Sequence, residues 1–460
     1  MDKKKSMIVD YTGGPVTRQL LAFSWPFMLS NLLQTAYNLT DMVVVGQFVG
    51  AAGLSAVSVG ADLLHLFTFI AMGFCNAGQV IISQYVGLGD RRSVSRTVGV
   101  MFTFILGLSL AITAVGLAGT DLWLRLLNVP PEALPQCRQY TICCTAGLFF
   151  IFGYNMISAI LRGMGESKRP MIFIAIASVL NVLLDILLVS RGMGALGAAA
   201  ATVIAQGVSF IVSVIYLWKK RGELGFDFVL RDLIPDRHNL LLLLKLGIPM
   251  MIQSCAISIS ALFVSSRINA YGVTASAVTG VGHKLSMLAS IIVLALSQAG
   301  ATMVGQNFAA GKFDRVRKVL GDSILIGGIF AAALSAVIIA WPEQVFSLFN
   351  DDPEVLAMSH AYVLIAVLNY FGWACRGPST ALCNGMGFPA MNFVLGIFDG
   401  VVMRIGLCIL LGETLGMGIR GYWIGSAVAG YAFFLVMLPY FLSGKWKEHK
   451  PPAARNPAGV

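Results

Sequence analysis

Apolar runs of about twenty residues recur along the whole chain, separated by short polar segments. The runs are continuous rather than alternating, so they read as helices and not as barrel strands. About 20 apolar residues in a helix cross a hydrocarbon core of about 30 Å. The pattern predicts twelve spans, at about 19–45, 53–78, 96–118, 139–161, 170–190, 195–217, 240–265, 280–303, 319–340, 357–378, 390–411 and 418–442. The longest polar segment, WKKRGELGFDFVLRDLIPDRHN, contains Pro235 and mixed charges and divides the spans six and six. The expected organisation is a first lobe over 1–218, a cytoplasmic linker over 219–239, a second lobe over 240–444 and a cytoplasmic tail over 445–460.

The halves repeat one another. Gln84, Gly89 and Gly99 recur as Gln306, Gly311 and Gly321, and Arg162-Gly163-Met164-Gly165 recurs as Asn384-Gly385-Met386-Gly387, all at one constant offset. Pro26 in LLAFSWPFML answers Pro249 in LLKLGIPMMI. An even number of spans per half gives both halves the same topology. The expected fold is therefore an all-α integral membrane protein, with twelve transmembrane helices in two pseudo-symmetric six-helix bundles. They are parallel repeats, placed around a central cleft. The two GMG segments lack a strand-turn-helix context and a P-loop lysine, and read as tight turns.

Composition strengthens the membrane reading. The 460 residues are 57% hydrophobic and 12% charged, about half the charged fraction of a soluble chain. The net charge of +10 does not point to nucleic acid, because no basic stripe or aromatic platform accompanies it. Instead Lys and Arg gather in alternate loops: Lys3, Lys4, Lys5 and Arg18; Arg91, Arg92 and Arg96; Lys168 and Arg169; Lys219, Lys220 and Arg221; Lys312, Arg315, Arg317 and Lys318; Lys445, Lys447 and Lys450. The other loops hold single arginines and the acids Asp351, Asp352 and Glu354. The positive-inside rule puts the basic set, and both termini, in the cytoplasm. The start, MDKKKSMIVDYTGG, is basic like a signal peptide, but the apolar run continues from near Leu20 through Asp41 without a cleavage site, so it reads as a retained first span.

Several classes fall away. The eight cysteines lie mostly inside apolar runs without CxxC spacing and read as small buried side chains. The five histidines are scattered, with no HExxH, and there is no GxxxxGK[ST] stretch. An enzyme, a structural metal, a cofactor or ATP bound on this chain is not expected. A transporter would then draw on an ion gradient.

Ionisable groups within spans cost about 2.5–3.5 kcal/mol each at a helix centre. The candidates are Asp41, Asp62, Asp185, Lys284, Arg376, Asp399 and Arg404. Gln34, Tyr37 and Asp41 share one face of the first span by their i, i+3, i+7 spacing, and Asn181 and Asp185 share a face of the fifth. Counted from the cytoplasmic side, Asp41, Asp185 and Thr202 of the sixth span fall in the outer half of the first lobe. Two carboxylates, a carboxamide and a hydroxyl at one depth can form an oxygen-rich site for Na⁺ or a proton. Desolvation and mutual repulsion both disfavour a second negative charge there. Binding a cation would neutralise the pair and let the first helix repack, with Pro26 as a weak point because proline removes one backbone bond.

Asn181, Thr202, Gln34, Tyr37 and Asn155 can also be read as core or helix-joining residues. Asp62 follows a glycine-rich turn and reads as interfacial. Asp399 and Arg404, five apart, either neutralise each other or face a cavity. Arg376 is expected to snorkel or mark a helix end beside Gly377 and Pro378, and Lys284 would join it in a basic lining. The abundant Met and Phe include candidates for a soft, adaptable cavity.

At this point the chain resembles the multidrug and toxic compound extrusion (MATE) family of secondary transporters. The resemblance covers nearly all of it: twelve spans, two lobes, the proline-bearing first and seventh spans and the LRGMGESKRPM segment. In one bacterial and archaeal branch the amino-terminal lobe carries a cation site, whose residues match Asp41, Asn181, Asp185 and Thr202. The resemblance implies a monomer in the bacterial cytoplasmic membrane that exports amphipathic, mainly cationic drugs in exchange for H⁺ or Na⁺ by alternating access. Another branch places acids on the seventh and tenth helices, whereas GIPMMIQSCAISISALFV has none here and LIAVLNYFGWACRGPSTALC has Arg376 as its sole charge. Ion coupling is therefore expected in the first lobe alone. A lipid-linked oligosaccharide flippase of the related superfamily is the alternative, kept open by Arg376 and Lys284.

Overall fold

The computed structural model describes residues 8–127, 129–224, 236–349 and 351–454. Lys3, Lys4 and Lys5, the middle of the expected linker including Pro235, and the end of the tail lie outside the described residues. Among the described residues all regular structure is helical.

The first three spans are α1 (Val16–Val49), α2 (Ala51–Leu88) and α3 (Arg91–Ala118). A short α4 (Thr120–Leu126) follows. The fourth span, read from sequence as continuous, is two helices, α5 (Leu134–Ala146) and α6 (Leu148–Gly163), bent by 47°. Gly147 occupies the break, where a Cβ would run into Val203 and where glycine's low helix propensity favours interruption. Spans five and six are α7 (Lys168–Leu188) and α8 (Gly194–Lys220), joined by a π-type turn, Val189–Met193, in which Gly192 has φ 86°, and α8 opens on Gly194 with φ 60°.

The second half repeats the scheme with α9 (Arg237–Asn269), α10 (Val273–Ala309), α11 (Phe313–Ala340), short α12 (Pro342–Ser347) and α13 (Pro353–Met386). The eleventh span is a composite of α14 (Pro389–Ile397), a π-helical stretch Phe398–Gly406, α15 (Leu407–Ile409) and a second π turn, Leu410–Thr414. The twelfth comprises α16 (Ile419–Ala429) and α17 (Ala432–Leu442). Among the described residues, nine helical runs are long and apolar enough to cross a membrane, and the bent pair adds a tenth. One of the nine, Lys168–Lys220, contains both α7 and α8, and α1 lies outside the set because polar side chains dilute it. All twelve expected spans are thus present as helices.

The chain forms two compact units, one built mainly from Trp25–Met251 and the other from Ile252–Gly459 together with Tyr11–Ser24. In the first, α2 packs on α3, α5 and α6, and α7 packs along α8. In the second, α10 runs along α13, which also carries α11 and α16. Lipid tails are as apolar as leucine, so close backbone approach and dispersion contacts hold such helices together. Gly60 of α2 abuts the Tyr140 ring and Gly282 of α10 abuts the Tyr362 ring, leaving no room for a Cβ. The sequence repeat is therefore also a repeat of contacts. Gly165 (φ 86°) and Gly387 (φ 70°) adopt the left-handed backbone that the two GMG turns require.

The second unit holds the start of the chain tightly. Arg315 donates to the carbonyls of Tyr11 (2.7 Å), Gly13 (3.0 Å) and Gly14 (2.6 Å) and to Gln19 Oε1 (3.0 Å). Lys312 Nζ donates to Thr12 O at 2.8 Å, and Thr17 Oγ1 to Asp322 Oδ2 at 2.7 Å. The first turns of α1 are anchored by these bonds.

Candidate functional site

Three helices of the first unit supply the polar cluster. α1 contributes Tyr37 and Asp41, which its helical period places on one face. α7 contributes Asn181 and Asp185, four apart, and α8 contributes Thr202. Asp41, Asn181, Asp185 and Thr202 are all buried, with Asp185 at 0% exposure. Thr202 links the helices: its hydroxyl donates to Asp41 Oδ2 at 3.5 Å and accepts from Asn181 Nδ2 at 3.3 Å. The Asp41 and Asp185 carboxyl groups lie within hydrogen-bonding reach of each other once one carries a proton. All four residues expected as a cation site are therefore neighbours.

The arrangement is short of donors. Asp41 Oδ1, both oxygens of Asp185 and Asn181 Oδ1 are buried with no hydrogen-bond partner among the described residues. A buried acceptor left unpaired costs about 1–3 kcal/mol, more when charged. Every unpartnered atom named here is an oxygen, so a proton or a hard cation would complete the cluster and another acceptor would not. Hard cations such as Na⁺ favour carboxylate, carbonyl and hydroxyl oxygens for the same reason. Among the described residues no cluster of His, Cys, Asp and Glu of the size that holds a structural metal is present.

Gln206, which the sequence reading missed, belongs to this group. It sits one turn beyond Thr202 on the same face of α8 and is buried, with Oε1 also unpaired. The Thr202-x-x-x-Gln206 spacing was the available signal. Gln206 and Gln34 both approach the Tyr37 hydroxyl. Tyr37, Ala177, Asn181, Thr202, Ala205 and Gln206 line one narrow pocket, too tight in this conformation for a free water molecule. Asn155 instead turns its amide back to Ile151 O of its own helix at 2.8 Å. Asp62 is exposed.

The remaining charged candidates form a second cluster in the other unit. Asp399 is fully buried and ion-paired with both Arg376 Nη2 (2.7 Å) and Arg404 Nη2 (3.3 Å). Asp399 and Arg404 do neutralise each other, as their spacing allowed. The expectation that Arg376 snorkels or ends a helix is overturned. It lies inside α13, 13% exposed, with its guanidinium beside the Trp373 and Phe433 rings. Pairing across helices drew it inward, and periodicity within one span carries no sign of that. Lys284 is exposed and sits over the Phe349 ring at 5.5 Å.

Comparison with known proteins adds the family. The MatE family model matches residues 26–187 and 249–410, one match of equal length on each half of the chain. The probable multidrug resistance protein YpnP of Bacillus subtilis is 29% identical over 444 residues, spanning 96% of this chain and 98% of that protein. The crystal structure of a MATE protein in the bent conformation superposes with a TM-score of 0.86 at 25% identity, over 95% of this chain and 97% of the other. A MOP superfamily transporter from Pyrococcus furiosus shares the fold with a TM-score of 0.89 at 24% identity, over 97% and 100% of the two chains.

Proposed function

The chain belongs to the MatE family and is a multidrug efflux transporter, and on that premise we propose that it works as a cation antiporter. Amphipathic, mainly cationic small molecules leave the cell as H⁺ or Na⁺ enters by way of Asp41, Asn181, Asp185 and Thr202. The observation that carries this reading is the set of unpaired buried oxygens on Asp41, Asn181 and Asp185, joined through Thr202. Without an ion those oxygens repel one another and lack donors; with one they are satisfied. That difference in free energy between loaded and empty states is what lets a gradient drive a conformational equilibrium.

Loading would draw α1 towards α7 and α8. Release would free it, and Pro26, inside α1, supplies the point at which the helix gives way. Two repeats moving in turn would then give alternating access. In this reading the first lobe is 1–218 and the second 240–444, joined by the 219–239 linker and followed by the 445–460 tail. The protein acts as a monomer in the bacterial cytoplasmic membrane with both termini inside.

The test is ethidium efflux from proteoliposomes with ΔpH and a Na⁺ gradient imposed separately. The expected result is efflux driven by one gradient and collapsed by its ionophore. Transport indifferent to both gradients would remove the antiport reading.

A further inference from the structure

The second unit contains an ionised cluster that the coupling reading does not use. Arg376 and Arg404 share the single carboxylate of Asp399, and neither arginine has an ion pair with another acid among the described residues. One positive charge is therefore left over inside a membrane-spanning bundle. The cluster is not an accident of packing. Asp399 and Arg404 are five residues apart in the π-helical stretch Phe398–Gly406. The i→i+5 winding of a π-helix aligns side chains that an α-helix would turn well apart, and π segments occur often at functional sites.

Stability does not explain it. Buried arginine–carboxylate–arginine groups are weak contributors and are often replaceable by apolar side chains without loss. An intramembrane charge is a functional candidate by default. The donors are also unspent. Arg404 Nη1 donates to Ser426 Oγ at 3.2 Å, but its Nε is buried without a partner. Asp399 is sealed, whereas Arg376 and Arg404 keep 13% and 12% of their side chains accessible. What is accessible in the cluster thus belongs to the two arginines and not to the carboxylate that fixes them. The half-buried Trp373 ring, with its centroid 5.8 Å from the Arg376 guanidinium, makes the approach apolar, and the buried Phe433 ring backs the same group at 5.6 Å.

We propose that Arg376 and Arg404, held in place by Asp399, form a subsite for the oxyanion group of an amphipathic acid, a carboxylate or a phosphate. Guanidinium forks match such groups in geometry, and the adjacent Trp373 ring accepts the apolar remainder. The ligand's negative charge balances the surplus positive one. The protein would accordingly take acidic or zwitterionic amphiphiles as well as cations. This inference rests on the transport reading only for the fate of the bound molecule; the site itself is tested by binding.

The full chain, purified in dodecyl maltoside, is titrated calorimetrically with decanoate and, as a control, decyltrimethylammonium. Arg404→Gln is expected to weaken decanoate binding by about tenfold or more, the equivalent of about 1.4 kcal/mol, and Arg404→Lys to retain part of it. Asp399→Asn adds a second uncompensated charge and is expected to tighten decanoate binding, even if it lowers the melting temperature. Decyltrimethylammonium binding should not follow this order. Repeating the decanoate titration in phosphatidylcholine nanodiscs with and without phosphatidylglycerol separates the sources. Competition assigns the subsite to a lipid headgroup, and its absence to a free acid. A decanoate isotherm unchanged in both Arg404→Gln and Asp399→Asn, or absent from the wild type, overturns the proposal. The titration imposes no ion gradient, so failure of ion coupling and failure of this subsite are distinguishable.

Discussion

Replacing Asp41 by asparagine separates a coupling role from a structural one, because the two predict opposite balances. In the structure Asp41 Oδ2 accepts one long bond, 3.5 Å from Thr202 Oγ1, and Oδ1 accepts none. Asparagine keeps an acceptor for Thr202 and adds an N–H that the unpaired Asp185 oxygens can accept. One weak bond is at risk and one bond to a charged group is gained, the latter worth about 1.5–3 kcal/mol. The like-charge contact with Asp185 also disappears. Stability should therefore hold or rise. A coupling cation, in contrast, loses one of its two carboxylates. If that contact is worth the same as other bonds to charged groups, affinity falls by about 10- to 150-fold. Thermal unfolding in detergent and gradient-driven ethidium efflux in proteoliposomes measure the two quantities on one preparation. The expected outcome is an unchanged or raised melting temperature with efflux abolished. Near-normal efflux from folded Asp41→Asn protein would refute the coupling role. A large loss of stability with efflux retained per folded molecule would assign Asp41 to architecture instead.

Three further outcomes follow from the same contacts. A Cβ at Gly163 would lie 2.7 Å from Gln79 O, and one at Gly385 2.6 Å from Ala301 O, so alanine at either should cost about 1–3 kcal/mol by overpacking, seen as lower melting temperatures of similar size in the two repeats. Arg315→Ala removes four bonds to the chain start; partial solvation of the freed carbonyls limits the loss to about 1.5–3 kcal/mol, and limited proteolysis should then cut within residues 8–19 much faster than in the wild type. The exposed Asp121 carboxyl is held below its usual range by a 2.8 Å bond from Arg138. A lowered folded-state value makes its contribution present above the unfolded carboxylate range and lost as pH falls through the folded one. Arg138→Ala should therefore melt slightly below the wild type at neutral pH, and the difference should vanish in acid; a difference that grows on acidification would contradict this assignment.

Much of this was legible in the residues. Span positions came from apolar runs, since a helix in lipid must satisfy its own backbone and so announces itself by length and hydropathy alone. The twofold repeat was readable because both halves conserve the same glycines and prolines, and Gly60 and Gly282 show why: each abuts a tyrosine ring. Asp41, Asn181, Asp185 and Thr202 could be grouped because helical period fixes a face and distance along a span fixes a depth. Local breaks were less visible, as at Gly147, where the neighbour that leaves no room for a Cβ is Val203 of another helix.

The sequence by itself determined which segments form helical spans, their pairing into repeats and the height of each polar group along its own span, all of them consequences of one-dimensional periodicity in an apolar solvent. Rotation about each helix axis, and so which side chains meet, was decided only by tertiary packing. That is why Gln206 joined the buried polar cluster unannounced, why Arg376 turned inward to Asp399, and why five residues of spacing brought Asp399 to Arg404 in a π-wound helix. A charge in lipid must find its counter-charge, but which helix supplies it is set by the fit of many uncharged neighbours.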